Sequence, residues 1–307
     1  MTKKIVTVFE GGGSGIRAAD VCCGHISDVR WPKNPITNVD NLLAFVAQHT
    51  NSKAVAVGYS MAGSIEDHCF VQKSPNLPWL DGTNLGKLTK QVTRRPTYVA
   101  NDAEASVTGA HILFPDLNYF MLIIWSSGIG GGIWREKVGV LSRFEGGHMC
   151  LDYSDSAPTC ACGMQGCVEA FCGGKNVQTK ITEKLRDLNI DIPLTEKEIG
   201  GLLDAHYING EAWAKEIYGQ VTLGMGRFIA NLISTLNPPA IIFKGAFALT
   251  ALGLPEIEKT IRAEIRKKLL VPSWEKETRF LRIPGPPRII KDGDSFLGAA
   301  KLALNLI

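Results

Sequence analysis

Two segments of the chain share an unusual order, in which a buried strand runs into glycines and then continues as another apolar strand. In the first, Ile5–Phe9 is followed by Glu10-Gly-Gly-Gly-Ser-Gly15 and a second apolar run. In the second, Tyr119–Trp125 is followed by Ser126-Ser-Gly-Ile-Gly-Gly-Gly132 and another short strand. A dinucleotide-binding fingerprint or a P-loop would instead lead from the glycines into a helix. Both segments therefore predict β-hairpins.

A hairpin turn rich in glycine exposes backbone N–H groups, and such a nest binds phosphate oxygens. Either segment alone could equally be an ordinary glycine hairpin. Two such hairpins, one at the start of each α/β half, predict a duplicated fold that holds a nucleotide in a crevice between two lobes.

Composition narrows the class of protein. The 307 residues are 45% hydrophobic and 21% charged, with a formal net charge of +3 and no basic run. We therefore expect no nucleic-acid partner and no membrane partner. The start of the chain lacks the apolar region of a signal peptide, and the eight cysteines do not resemble a secreted disulfide framework. A cytoplasmic protein is expected.

Three of the cysteines lie within eight residues, at Cys160, Cys162 and Cys167, and His148 precedes them by twelve. Three cysteines and one histidine form a standard tetrahedral ligand set for structural Zn²⁺. The alternative is three buried free cysteines on a loop. A metal here would rigidify the segment that carries Glu145 and Glu169, two acids able to bind the hydroxyl groups of a polyol.

Asp102 lies between a predicted strand, Pro96–Val99, and a segment of helical composition that begins at Ala103. A plain helix N-cap is the reading that spacing alone favours. The functional alternative is a carboxylate at a loop tip that accepts a proton from a substrate hydroxyl.

These residues together resemble the ROK family of sugar kinases and repressors, within the actin–hexokinase superfamily, and the resemblance covers essentially the whole chain. Seven motifs carry the resemblance. In chain order they are a first phosphate motif at 10–17, a sugar-side loop at 76–79, Asn-Asp-Ala at 101–103, a second phosphate motif at 127–133, Glu-x-Gly-His at 145–148, a cysteine signature at 160–174, and a helix and strand before the adenosine pocket at 231–245. The cysteine signature is the specific one.

The resemblance implies a two-lobed actin-like ATPase fold of the ribonuclease H-like class, with the active site in the cleft between the lobes. It implies a smaller lobe at 1–117, a larger lobe at 118–294, and a terminal helix at 295–307 that packs back on the first lobe. Relatives are often dimers, so a homodimer is expected. Repressor relatives carry an N-terminal DNA-binding extension, for which we expect no room before the first strand.

The resemblance also implies residue roles. Asp102 would be the general base, and Asn76, Asn101, Glu145, His148 and Glu169 would bind the sugar. His148 would also bind Zn²⁺, together with Cys160, Cys162 and Cys167. The phosphates of ATP, bridged by Mg²⁺, would lie against residues of the two hairpins and the adenosine motif: Glu10, Gly12, Gly13, Ser14, Ser127, Gly128, Gly130 and Gly245.

Several positions depart from the family pattern. Glu10 replaces an Asp, and its extra methylene moves the carboxylate by roughly 1.5 Å; we expect Gly11 beside it to give the slack that lets it still reach the Mg²⁺ shell. Smaller departures occur at Ser14, Glu104, Ser127 and 244–246. Three functions stay open: a kinase for the 6-hydroxyl of a hexose, a kinase for N-acetylmannosamine or N-acetylglucosamine, and a sugar-binding protein with little or no phosphoryl transfer.

Overall fold

The computed structural model describes residues 4–12, 15–189, 196–283 and 293–307. Groups of strands and groups of helices follow one another along these residues. The strands are β1 (Ile5–Gly12), β2 (Gly15–Cys22), β3 (His25–Arg30), β4 (Ala54–Met61), β5 (Ser64–Glu66), β6 (Phe70–Lys73), β7 (Thr83–Asn84), β8 (Thr97–Asn101), β9 (Tyr119–Trp125), β10 (Ile129–Arg135), β11 (Gly139–Phe144), β12 (Ala240–Lys244) and β13 (Arg279–Arg282).

The helices include several long enough to cover a sheet face. They are α1 (Val39–His49), α2 (Leu85–Thr93), α3 (Asp102–Leu113), α4 (Val168–Cys172), α5 (Gly174–Asp187), α6 (Glu196–Ile208), α7 (Ala212–Leu236), α8 (Ala246–Ala251), α9 (Pro255–Lys268), α10 (Trp274–Glu277) and α11 (Gly293–Leu304). Short 3₁₀ helices occur at Pro78–Leu80 and Gly146–His148. Among the described helices, none combines the length and apolar character that a bilayer span needs.

The chain forms two compact units. Unit 1 comprises Met1–Asn118, Gly132–Arg143 and Pro284–Ile307, and unit 2 comprises Tyr119–Gly131 and Phe144–Ile283. The predicted lobe boundary after residue 117 stays a prediction.

The first sheet has the strand order β3-β2-β1-β4-β8. Its central strand β1 pairs antiparallel with β2 and parallel with β4. Because successive side chains of a strand point to opposite faces, β1 supplies two cores. Phe9 packs in one core with Leu42 of α1, while Val6 and Val8 pack in the other with Phe296 of α11. This sheet is therefore covered by helices on both faces, as expected for an α/β fold.

The second sheet repeats this strand order, as β11-β10-β9-β12-β13. Here β12 pairs parallel with both β9 and β13. β12 is buried throughout and β9 almost so, because a central parallel strand is covered on both faces and its sequence becomes a continuous apolar run. The shared order agrees with the predicted duplication.

The apolar run before the second glycine segment located its strand well. The predicted strand Tyr119–Trp125 has the bounds that the structure gives to β9. The first glycine segment differs from expectation, because β1 continues through Gly12 and β2 already begins at Gly15. Only residues 13 and 14 separate the two strands, so Gly11 and Gly12 are strand residues and not part of the turn.

Candidate active site

Asp102 is the first residue of α3 and directly follows β8. The N-cap of α3 is Asn101, whose Oδ1 accepts from the backbone N–H groups of Ala103 at 2.9 Å and Glu104 at 3.4 Å. The N–H of Ala103 also lies 3.0 Å from Asp102 Oδ1. The interpretation of Asp102 as the N-cap is therefore wrong by one residue, because Asn101 is the cap.

The other end of the Asn101 amide is also engaged. Its Nδ2 donates to the carbonyl oxygen of Gly63 at 2.8 Å. Gly63 has a φ of +134°, and a side chain there would meet the Lys73 carbonyl at 2.2 Å. This contact fixes the start of α3 to the segment between β4 and β5. Gly63 was not predicted from the sequence, because a contact across 38 residues leaves no local pattern.

The remaining expected residues of unit 1 have different surroundings. Asn76 is exposed in the turn before Pro78–Leu80. Gly12 closes β1, and a Cβ there would meet only the Ala62 Cβ at 3.8 Å. Gly13 and Ser14 lie outside the described residues, so their phosphate-binding role stays a prediction.

Glu10 has a partner that the sequence analysis missed. In the register of β1 and β2, Glu10 lies opposite Arg17, and the Arg17 guanidinium donates to its Oε2. The hydroxyl of Ser295 donates to Glu10 Oε1. Beside it, a Cβ on Gly11 would collide with the thioether of Met61 at 2.6 Å. The glycine at 11 therefore makes room for the Met61 side chain.

The four expected metal ligands come together in unit 2. The ligand atoms of His148, Cys160, Cys162 and Cys167 all lie within 4.8 Å of one another. His148 Nδ1 is 3.8 Å from Cys160 Sγ, and Cys162 Sγ is 3.8 Å from Cys167 Sγ. Two thiolates bound to one tetrahedral Zn²⁺ with bonds of about 2.3 Å lie about 3.8 Å apart. The donor set and its spacing therefore fit zinc.

The thiols of this cluster differ in acidity. Burial raises the pKa of Cys167 to about 12, with a further contribution from its contact with Cys162. Burial likewise raises the pKa of Cys160. The backbone N–H of Met164 stabilises the Cys162 thiolate and lowers its pKa. Because metal ligands must be deprotonated, cation binding here would release protons.

Glu169 connects the metal segment to the second glycine hairpin. It lies in the first turn of α4, two residues after the Cys167 N-cap, and its Oε2 accepts from the Ile129 N–H at 2.8 Å. A Cβ on Gly128 would lie 2.6 Å from the same Oε2. Gly128 therefore leaves the space in which this carboxylate lies.

Glu145 precedes the 3₁₀ turn that carries His148, and its side chain is exposed. The two glycines between them permit close packing. A Cβ on Gly146 would meet the Phe228 ring at 2.7 Å, and one on Gly147 would meet the Ile129 carbonyl at 2.2 Å. The turn is therefore held directly against the start of β10, next to the residue that hydrogen-bonds Glu169.

The carbonyls of Ser126 and Ser127 accept from the first N–H groups of α5, at 2.9 Å from Gly174 and 2.7 Å from Lys175. Gly245 follows β12 with a φ of +110°, and a Cβ there would lie 2.3 Å from the Trp125 carbonyl. The second hairpin is thus packed against two neighbouring segments.

Gly130, the remaining expected residue of this hairpin, has open space around its Cβ position. The structure therefore gives no packing reason for glycine there.

Comparison with known proteins adds named relatives. An N-acetylmannosamine kinase of Escherichia coli O1:K1 / APEC is 27% identical over 265 residues, which cover 82% of this chain and 87% of that protein. A glucokinase of Halalkalibacterium halodurans is 29% identical over 264 residues, which cover 76% of this chain and 78% of that protein.

A solved structure supports the expected fold class. The crystal structure of a ROK family glucokinase from Streptomyces griseus, in complex with glucose and AMPPNP, matches with a TM-score of 0.75 and 21% identity, covering 98% of this chain and 99% of that one. The expected two-lobed actin-like fold is confirmed. The sequence model of the ROK family matches residues 29–305. Because that match spans most of the chain, this protein belongs to the ROK family.

Proposed function

We propose that this chain is an ATP-dependent sugar kinase that transfers the γ-phosphoryl group to the 6-hydroxyl of a hexose. The observation that carries the proposal is that Asn101, and not Asp102, is the N-cap of α3. The need for an N-cap therefore explains the polar side chain at 101 but does not account for the carboxylate at 102. The named relatives agree with the expected enzyme class, a phosphotransferase that acts on an alcohol group of a sugar.

Asp102 is the proposed general base, which takes the proton of the acceptor hydroxyl as the phosphoryl group arrives. Its place in the first turn of a twelve-residue helix favours a negative side chain, because the N-terminal end of a helix carries a partial positive charge. Asn76 and Asn101 are proposed to bind other sugar hydroxyls.

In unit 2, Glu145, His148 and Glu169 are the proposed sugar-binding residues. Glu169 already accepts one N–H, at Oε2, and a carboxylate has further acceptor sites for sugar hydroxyls. His148 turns Nδ1 toward the thiols, so Nε2 is the nitrogen proposed to face the sugar.

Zn²⁺ is proposed to bind His148, Cys160, Cys162 and Cys167. When bound, it supplies a structural cross-link and no reaction chemistry, because all four tetrahedral positions are filled by protein. The cross-link joins the turn of His148 to the N-terminus of α4, on which Glu169 lies. It would therefore fix the spacing of two sugar-binding side chains.

The proposed donor is ATP, with its phosphates against Gly12, Gly13, Ser14, Ser127, Gly128, Gly130 and Gly245. Mg²⁺ supplies charge neutralisation on the transferred phosphoryl group when it accompanies the nucleotide. Glu10 was the expected acid on this side, but both of its carboxylate oxygens contact hydrogen-bond donors, one of them a guanidinium. This arrangement does not fit a cation ligand.

The acceptor sugar has two candidates. The glucokinase relative favours a hexose, and the N-acetylmannosamine kinase relative favours an N-acetylhexosamine. We also propose a homodimer and a cytoplasmic location, the latter because the metal cluster requires reduced thiols.

A coupled assay of ADP formation tests this function. The purified protein is given ATP and Mg²⁺ with glucose, mannose, N-acetylmannosamine or N-acetylglucosamine, and with no sugar as control. We expect ADP formation that depends on one or more of these sugars. Sugar binding by calorimetry without sugar-dependent ADP formation would overturn the kinase proposal in favour of a sugar-binding protein.

A further inference from the structure

The carboxylate of Glu10 is held by two elements of unit 1 that are far apart in the sequence. Its Oε2 contacts the guanidinium of Arg17 on β2, through both Nε and the terminal nitrogen. Its Oε1 accepts from the hydroxyl of Ser295 in the first turn of α11, 285 residues away. The Glu10 and Arg17 side chains are only 20% and 12% exposed.

Arg17 is itself held in place. Its guanidinium lies 5.1 Å from the centre of the Phe296 ring and 5.6 Å from the centre of the Trp31 ring, both within the range of cation–π attraction. Phe296 is fully buried and follows Ser295 in α11. The ion pair is therefore part of the packing between the first hairpin and α11, not a surface contact between two mobile side chains.

The same helix α11 supports α3, the helix that begins at Asp102. A Cβ on Gly298 would lie 1.7 Å from the Ala105 carbonyl, and a Cβ on Gly109 would lie 1.8 Å from the Asp294 carbonyl. The backbones of α3 and α11 thus touch at two points. α11 links the end of β1, through Ser295, with the helix that carries the proposed base.

We propose that Glu10 is a positioning residue, which Arg17 and Ser295 tie to α11 so that the first glycine hairpin keeps a fixed place relative to α3. This inference rests on the proposed kinase function. Glu10 then does not ligate the divalent cation, because a second cation beside its oxygens would be repelled by the guanidinium, and the repulsion is strongest where both are partly buried. The cation is held through the nucleotide phosphates, as Mg²⁺ commonly is.

The length of Glu10 follows from the same contacts. An Asp at this position would withdraw the carboxylate by roughly one C–C bond, about 1.5 Å. That shift is enough to break the hydrogen bonds to Arg17 and Ser295, because hydrogen bonds form only over a narrow range of donor–acceptor distances. Glu10→Asp is therefore expected to weaken the enzyme and not to improve it, even though Asp is the residue that the family pattern has there.

A double-mutant cycle separates positioning from metal binding. The variants are Glu10→Gln, Arg17→Gln and the double variant, with Lys53→Gln, an exposed cation of the same unit, as control. Each single variant should raise KM for ATP by about 5- to 30-fold and leave KM for the sugar within about twofold. Because both break one ion pair, the double variant should be no worse than the more impaired single variant.

Cation binding is measured without turnover, by titrating Mn²⁺ into each variant with ADP and following electron paramagnetic resonance. Affinity for Mn²⁺ should stay within about twofold in Glu10→Gln. A tenfold loss in Glu10→Gln, with none in Arg17→Gln, would make Glu10 a metal ligand and overturn the inference. If Arg17→Gln does not fold, the double variant, which leaves no unpaired charge, takes its place beside Glu10→Gln.

A failure of the proposed function gives a different pattern. In that case the wild-type protein forms no ADP with any sugar, and hydrogen exchange decides the inference. Glu10→Gln and Arg17→Gln should both accelerate exchange in the peptides containing residues 9–17 and 293–300. Unchanged exchange in both would overturn the positioning role.

Discussion

The two units hold their polar side chains by different means. In unit 1, hydrogen bonds and an ion pair within the protein hold the polar side chains. Asn101 hydrogen-bonds to Gly63 and to the start of α3, and Glu10 pairs with Arg17. In unit 2, four clustered metal ligands lie on segments with little regular structure, and Glu169 lies two residues after the last of these ligands.

Because of this difference, we expect removal of the metal to change the geometry of unit 2 and not that of unit 1. Contacts between side chains and regular elements survive without any ligand, so unit 1 should keep its geometry in the metal-free protein. A loop that depends on a metal loses its shape when the ligands are removed, because metal binding and local folding are coupled. We therefore expect chemistry to depend chiefly on unit 1 and sugar affinity chiefly on the metal segment of unit 2.

The largest effect should come from Asp102→Asn. The amide keeps the shape of the side chain but cannot accept a proton, so kcat should fall by about 10²–10⁴-fold while the sugar Kd, measured by calorimetry, changes little. Glu104→Gln is the matched control, because it removes a negative charge from the same helix turn. Near-normal turnover in Asp102→Asn would show that unit 1 does not supply the base.

Disruption of the metal cluster should follow in size. Cys167→Ser should lower zinc content well below one equivalent, lower Tm, and weaken sugar binding by about 10–100-fold, since Glu169 and His148 lose their support. Cys150→Ser is the control, because this thiol lies beside the cluster with its Sγ 3.2 Å from the Asp152 carbonyl.

Metal analysis of protein never exposed to chelator checks the premise. One zinc per chain is expected in the wild type and in Cys150→Ser. Normal sugar affinity in protein that contains only traces of metal would contradict the claim that sugar binding in unit 2 depends on the metal.

The smallest effect is expected from a variant that displaces the Glu169 carboxylate without changing the metal ligands. In Gly128→Ala the new methyl group would lie 2.6 Å from Glu169 Oε2, so the carboxylate must move away from the Ile129 N–H. Losing one hydrogen bond to a charged group should raise the sugar KM by about tenfold, with zinc content unchanged.

Gly219→Ala, at an exposed position in α7 with open space around it, is the matched control and should leave the sugar KM unaltered. If both variants behave like the wild type, the position of the Glu169 carboxylate does not matter for sugar binding.

Features that depend on nearby residues were predictable from the sequence. The apolar run of β9 located that strand, and the spacing of the cysteines together with His148 identified a four-residue cluster. The cap of α3 was misplaced by one residue, since Asn and Asp are equally good N-caps and composition does not decide between neighbours.

Contacts between distant residues were not predictable. Nothing in the local sequence connects Glu10 with Ser295, because only the packing of α11 on the first sheet brings them together. The pairing of Glu10 with Arg17 had a local signal, because a register that places Gly12 opposite Gly15 also places Glu10 opposite Arg17. A turn that spans all the glycines, as predicted from the sequence, does not give this register.

The central claim is that this chain transfers a phosphoryl group to a sugar hydroxyl, and identification of the product tests it most directly. The wild-type protein is incubated with ATP, Mg²⁺ and the sugar that best stimulates ADP formation, and the mixture is examined by phosphorus and proton NMR. We expect a phosphate monoester on the oxygen of carbon 6, formed in equal amount to ADP. An unchanged sugar, or inorganic phosphate released in its place, would contradict the account.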